Sequence, residues 1–158
     1  MIGPESNDRG VSIAITHVLT LGITTVLVAG LLISAGTLLE SQTDRSAQQS
    51  LETIGERLSG EISAVDRMAA GNGTTNLTVD HPSMVASNRY TVTLLDNETC
   101  ADQPLLTNAT NCMRLSAQSA DIDVYVPVTA PVNDGSSVSG GTIRIVHDGD
   151  KVTLERDR

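Results

Sequence analysis

The chain has no tryptophan and no phenylalanine, and Tyr90 and Tyr125 are its only aromatic residues. Any core it builds must therefore be aliphatic, and it offers almost no rings on which nucleic-acid bases could stack. Lysine is nearly missing too: Lys151 stands alone beside nine arginines. Ten cations face 19 carboxylates, giving a formal charge of −9. A surface of that sign repels a phosphate backbone, which argues against nucleic acid as a partner. Acid-rich, lysine-poor surfaces suit a halophilic cell, because at about 1 M salt the screening length falls to roughly 3 Å. Ordinary acidic solubility produces the same composition.

Residues that carry chemistry are equally sparse. No second histidine or carboxylate lies at i+3 or i+4 from His17, so a metal site has no support there. His81, next to Pro82, and His147 have no neighbours at metal or triad spacing. Asp121 and Asp123 alternate along one stretch, and Asp148 and Asp150 flank Gly149. Neither pair belongs to a full calcium-binding loop, and both read as solvated acidic loops. The expectation is a protein that is not an enzyme, with no cofactor, no metal and no catalytic residues.

What the chain does have is an apolar run. Val11 to Leu39 is 29 residues long and contains no Asp, Glu, Lys or Arg. About 20 such residues cross the hydrocarbon core of a bilayer as a helix. A secretory signal core is only about 7–15 residues, and the run lacks a small-residue exit at its far end, so the segment reads as retained. A helix start is expected near Val11 or Ser12. Gly22, Gly30 and Ser34 are small, and Gly30 with Ser34 forms a small-xxx-small pair that lets helix backbones approach closely. Average membrane-helix composition explains them as well. Thr16, Thr20, Thr24 and Thr25 can bond back to their own helix carbonyls. His17 lies close enough to the helix start to sit as a neutral imidazole near the membrane interface.

From Glu40 the pattern becomes amphipathic. Ala47, Leu51, Ile54, Leu58, Ile62, Val65 and Ala69 recur every three or four residues, with charges on the other face. Gly55 and Gly60 each weaken a helix by about 1 kcal/mol relative to alanine. Gly71-Asn72-Gly73 is a stop signal. After Asn72 the period changes to two, predicting strands at 77–79, 90–95, 113–117, 122–128, 142–146 and 151–155. Asp148-Gly149 marks a hairpin turn between the last two. Pro127 places the end of its strand at an edge, and 131–141 reads as a Gly/Ser-rich surface loop. The sum is one antiparallel sheet of about four to six strands, with the amphipathic stripe on its inner face.

Cys100 and Cys112 are the only cysteines, and an even pair in a loop-rich region suits a structural disulfide in an oxidising compartment. Asn72, Asn76, Asn97 and Asn108 each open an Asn-x-Thr glycosylation sequon. Both features point to an extracellular location for the C-terminal part, as in a cell-surface glycoprotein.

The order of parts at the N-terminus is informative. A short polar leader ends in Arg9-Gly10, and the apolar run begins at once with Val11-Ser12. This arrangement, with Asp8-Arg9-Gly10-Val11-Ser12, resembles the type IV pilin-like precursors of halophilic archaea, which carry class III signal peptides. The resemblance is close over 8–40 and covers the rest only in general plan. It implies an α+β, pilin-like fold: one long N-terminal helix, half membrane and half amphipathic, followed by a small antiparallel β-sheet head. It divides the chain into a leader (1–10), a transmembrane or filament-core helix (11–39), an amphipathic continuation (40–71) and a β-rich head (72–158). It implies cleavage by a prepilin peptidase after Gly10, with Arg9 and Gly10 as recognition residues and Val11 as the new N-terminus. The implied partners are the lipid bilayer and other pilin-like subunits through the N-terminal helix. Many pilins carry glutamate at the fifth mature position; here that residue is Ile15. A minor pilin or accessory subunit fits this better than a major one. The alternative is a single-pass membrane protein whose ectodomain binds at the cell surface and never polymerises.

Overall fold

A computed structural model describes residues 7–70, 73–103, 106, 110–118 and 122–157, with side chains from residue 13 onward. The chain divides into two compact units, 1–42 and 43–158. It has the α+β layout expected: a long N-terminal helix, then antiparallel sheets.

Helix α1, Asn7–Ala69, is 63 residues long. It begins before Val11, so the backbone of Arg9, Gly10 and Val11 is already helical. The residues explain the earlier start. Asn and Asp favour helix N-termini, a carboxylate such as that of Asp8 is stabilised near the positive end of the helix dipole, and Gly10 costs only about 1 kcal/mol.

Within the second unit, the seven apolar residues of the amphipathic stripe, from Ala47 to Ala69, are all buried. Five of them, Leu51, Ile54, Leu58, Ile62 and Val65, join one core, aliphatic apart from Tyr90, with residues of both sheets. Gly55 makes a tight approach: a Cβ added there would lie 2.6 Å from Val126 Cγ2 and 2.9 Å from Leu115 Cδ1. The glycine that looked like a helix weakness is a place where the helix lies tight against the sheet.

Among the described residues the head holds eight strands in two sheets, not one sheet of four to six. β1 (Thr75–Asp80), β7 (Thr142–His147) and β8 (Val152–Arg156) form a three-stranded sheet in the order β1-β7-β8. β2 (Met84–Val85), β3 (Asn88–Leu95), β4 (Asn111–Ala117) and β5 (Ile122–Val128) follow one another in the second, and β6 (Ser137–Ser139) also pairs with β3. A one-turn helix α2, Asn97–Cys100, is capped by Asp96, whose Oδ1 accepts from the Thr99 amide at 3.0 Å.

Two strands escaped the sequence pattern for identifiable reasons. β2 joins β3 through Ala86-Ser87, whose φ angles of 44° and 66° give a two-residue turn without the usual Asn-Gly signature. β6 lies inside the segment expected to be a surface loop. It is three residues long, too short to show alternation, yet Val138 is buried against the core. Nearby, Val132 pairs in parallel with Val152. Ser136 Oγ accepts from the Leu154 amide at 2.9 Å and donates to the Leu154 carbonyl at 3.1 Å. That hydroxyl ties β8 to the segment leading into β6, so the two sheets share hydrogen bonds as well as a core.

Tyr90 is fully buried on β3 and donates to the Pro82 carbonyl at 2.7 Å. Its ring lies on the backbone of Gly140, where an added Cβ would sit 2.3 Å from ring carbons. Burial pushes the phenol up to about 12, against the smaller lowering effect of the Gly141 backbone.

Candidate functional site: an apolar helix surface and a disulfide-closed head

A helix whose residues are apolar on every side has no polar face to give to water. In the stretch 13–39 all 14 large aliphatic residues are exposed, from 50% at Val28 to 73% at Ile33. They lie on all sides of the helix, and no described residue of the stretch is buried. This separates the segment from a soluble core helix, which would be mostly covered. It is long and apolar enough to cross a membrane.

The polar atoms of the segment are largely satisfied within it. Thr20, Thr24 and Thr25 donate to the carbonyls of Thr16, Thr20 and Leu21 at 2.8, 2.8 and 2.7 Å. Thr37 donates to the Ser34 carbonyl at 3.0 Å. These bonds remove the cost of bare hydroxyls in hydrocarbon. A Cβ at Gly22 or Gly30 would meet nothing within 4 Å. The notches are therefore open to whatever lies alongside. Ser34 and His17 are exposed on the same helix. Arg9, Gly10 and Val11 fall in its first two turns, and their side chains lie outside the described residues.

In the head, Cys100 and Cys112 form a disulfide with Cα atoms 5.9 Å apart. It joins the end of α2 to the start of β4, and both cysteines are fully buried. Asn76 and Thr78 share the outward face of β1, and Asn97 and Thr99 are exposed at α2, so both sequons are accessible. Asn72 and Asn108 lie outside the described residues.

The histidines of the head do something that local sequence did not reveal. His81 is buried, and its Nε2 lies 2.8 Å from Glu61 Oε2 on α1. Glu61 also receives Arg57 Nε at 3.1 Å. His147, also buried, accepts from the Gly149 amide through Nδ1 at 3.0 Å. Its proton therefore sits on Nε2, which faces Asp66 Oδ1 at 3.5 Å. Each histidine thus links the head to the amphipathic part of α1. The partners are 20 and 81 residues apart in sequence; only charged residues at the border of the helix stripe could have hinted at them.

The acidic pairs differ from one another. Asp148 Oδ1 accepts from the amides of Lys151 and Asp150 at 2.9 and 3.0 Å, and these bonds, the Lys151 one foremost, hold its carboxyl below the usual range. Its role is to close the hairpin turn. Asp123 is exposed on β5, and Asp121 lies outside the described residues. Among the described residues no group of three or more His, Cys, Asp or Glu side chains could hold a metal ion.

Fold and site define a protein with one helix fit to span a membrane and a disulfide-closed β head. The chain belongs to a family of unknown function, DUF7266, which it matches over residues 6–156. No curated protein matches it, and no solved structure does.

Proposed function

We propose that this chain is a structural, pilin-like subunit of an archaeal surface filament or membrane assembly. It acts as a minor pilin or accessory and is processed by a prepilin peptidase after Gly10. The observation that carries the reading is the apolar surface of 13–39, uncovered on every side, in a run that begins directly after Arg9-Gly10 in the sequence. Such a surface requires a membrane or sister helices around it. Cutting after Gly10 leaves it intact and removes the polar leader. Gly22, Gly30 and Ser34 then serve as sites of close helix approach. The disulfide and the exposed sequons at Asn76 and Asn97 support an extracellular head. The helical state of residues 7–12 adds a step: the peptidase must first unwind the first turns, where helix ends fray most easily.

Sequencing the N-terminus of the protein isolated from its own membranes tests this. A start at Val11 is expected; an intact Met1 start overturns the processing step. Ile15, where many pilins have glutamate, favours a second reading, a single-pass surface protein that binds a partner without polymerising. Shearing cells separates the two, since a filament subunit leaves with the sheared material and an anchored monomer stays in the membrane fraction.

A further inference from the structure

Among the described residues strand β5 pairs only with β4, so its other side is a sheet edge. The pairing phase shows which groups it presents. On β3 the Arg89 carbonyl accepts from Gln118 just beyond β4, while Tyr90 and Leu94 bond on the opposite side. Following that alternation across β4, the backbone groups of Val124, Val126 and Val128 face β4, and those of Asp123, Tyr125 and Pro127 face outward. Pro127 has no N–H to leave unpaired, and its carbonyl accepts from Ser59 Oγ of α1 at 2.7 Å. Ser63 Oγ meets Thr129 Oγ1 at 3.3 Å further along. Helix α1 therefore covers the edge at 127–129, and the outward backbone N–H and C=O groups of Asp123 and Tyr125 have no partner among the described residues.

Those groups open into a groove of about 640 Å³ between β5 and α1. Among the described residues its charged lining is of one sign: Glu52 and Glu56 from the helix, Asp123 from the strand, and no cation. Glu52 and Glu56 are one helical turn apart, about 6 Å. Alternate residues of an extended strand are spaced by about 6.6 Å and point the same way.

We propose that the 123–125 edge is a strand-docking site for an extended segment of another protein carrying arginine or lysine at alternate positions. The segment adds to β5 through the N–H and C=O groups of Asp123 and Tyr125. Its cations face Glu52 and Glu56. Main-chain bonds supply the affinity and the paired carboxylates choose the sequence. The site is independent of N-terminal processing and is available in either functional reading.

The test uses the full chain in a non-ionic detergent and a fluorescein-labelled peptide, Thr-Arg-Val-Arg-Val-Thr, with Glu replacing Arg in a control. Anisotropy should show saturable binding of the arginine peptide and none of the control. Glu52→Gln with Glu56→Gln should weaken it about five- to tenfold, as two exposed ion pairs predict. Tyr125→Pro removes an outward N–H without breaking the ladder to β4 and should weaken binding at least as much. If that variant does not fold, amide exchange of the wild type decides, because the Asp123 and Tyr125 amides must gain protection when peptide is added. No saturation at roughly millimolar peptide, equal binding by folded Tyr125→Pro, or no gain in protection overturns the proposal. So does concentration-dependent self-association of the chain that Tyr125→Pro abolishes, since the occupant would then be a second copy.

Discussion

Replacing Gly55 by alanine sets two effects against each other. Alanine favours the helix by about 1 kcal/mol over glycine. The new methyl, however, would sit 2.6 Å from Val126 Cγ2 and 2.9 Å from Leu115 Cδ1, well inside van der Waals contact. Val126 is β-branched and cannot easily rotate away, and Leu115 is fully buried. Overpacking of this kind costs about 1–3 kcal/mol. The net expectation for Gly55→Ala is a loss of up to about 2 kcal/mol, lowering Tm by up to roughly 4–8 °C. Gly60 is the internal control. It lies five residues further along the same helix, where an added Cβ meets nothing within 4 Å. Gly60→Ala should therefore raise stability by about 0.4–1 kcal/mol. Adding Val126→Ala to Gly55→Ala removes the nearest clashing methyl, so the two changes together should cost less than their sum. Thermal unfolding in non-ionic detergent, followed by near-ultraviolet tyrosine ellipticity, reads all three, because buried Tyr90 reports on the core and there is no tryptophan to obscure it. Gly55→Ala as stable as Gly60→Ala would refute the close approach of helix and sheet.

Two further outcomes follow from the head. Replacing Cys100 and Cys112 by serine opens a link of sequence separation 12 and should cost about 3 kcal/mol in the chain-entropy model, measured by urea unfolding with and without reductant; no difference would mean the bond does not constrain the unfolded chain. Tyr90, held at about 12, stays neutral in the fold while the unfolded phenol ionises near 10, so stability is full below pH 10 and falls by on the order of 2 kcal/mol as pH rises towards 12. Tyr90→Phe should flatten that alkaline slope and, by leaving the Pro82 carbonyl unpaired, cost about 1–2 kcal/mol at neutral pH.

Much of this architecture was legible in the residues. The stripe from Ala47 to Ala69 declared itself because one buried face on a helix forces a period near 3.6, and all seven positions are buried. Strands β3, β5, β7 and β8 showed because each buries alternate residues. Pro127 was placed at an edge because it lacks a donor, and β5 is an edge strand. What stayed hidden depends on residues distant in sequence. β2 and β6 owe their state to β3 rather than to their own pattern. Gly55 read as a weak helix former because its neighbours Leu115 and Val126 lie 60 and more residues away. The Glu61–His81 and Asp66–His147 pairs are likewise meetings of distant residues. The apolar surface of α1 was the most legible feature, since a segment with no polar face can only present apolar atoms outward.

The threonines of that segment have a wider consequence. With the hydroxyls of Thr20, Thr24, Thr25 and Thr37 already turned onto the helix's own carbonyls, the span has little polar vocabulary to offer a neighbour. In the proposed assembly, companions along it would be sorted mainly by relief, bulge against hollow, with exposed His17 and Ser34 as the exceptions. Swapping a hydroxyl for a methyl should leave such companionship intact, whereas filling one glycine hollow should change it.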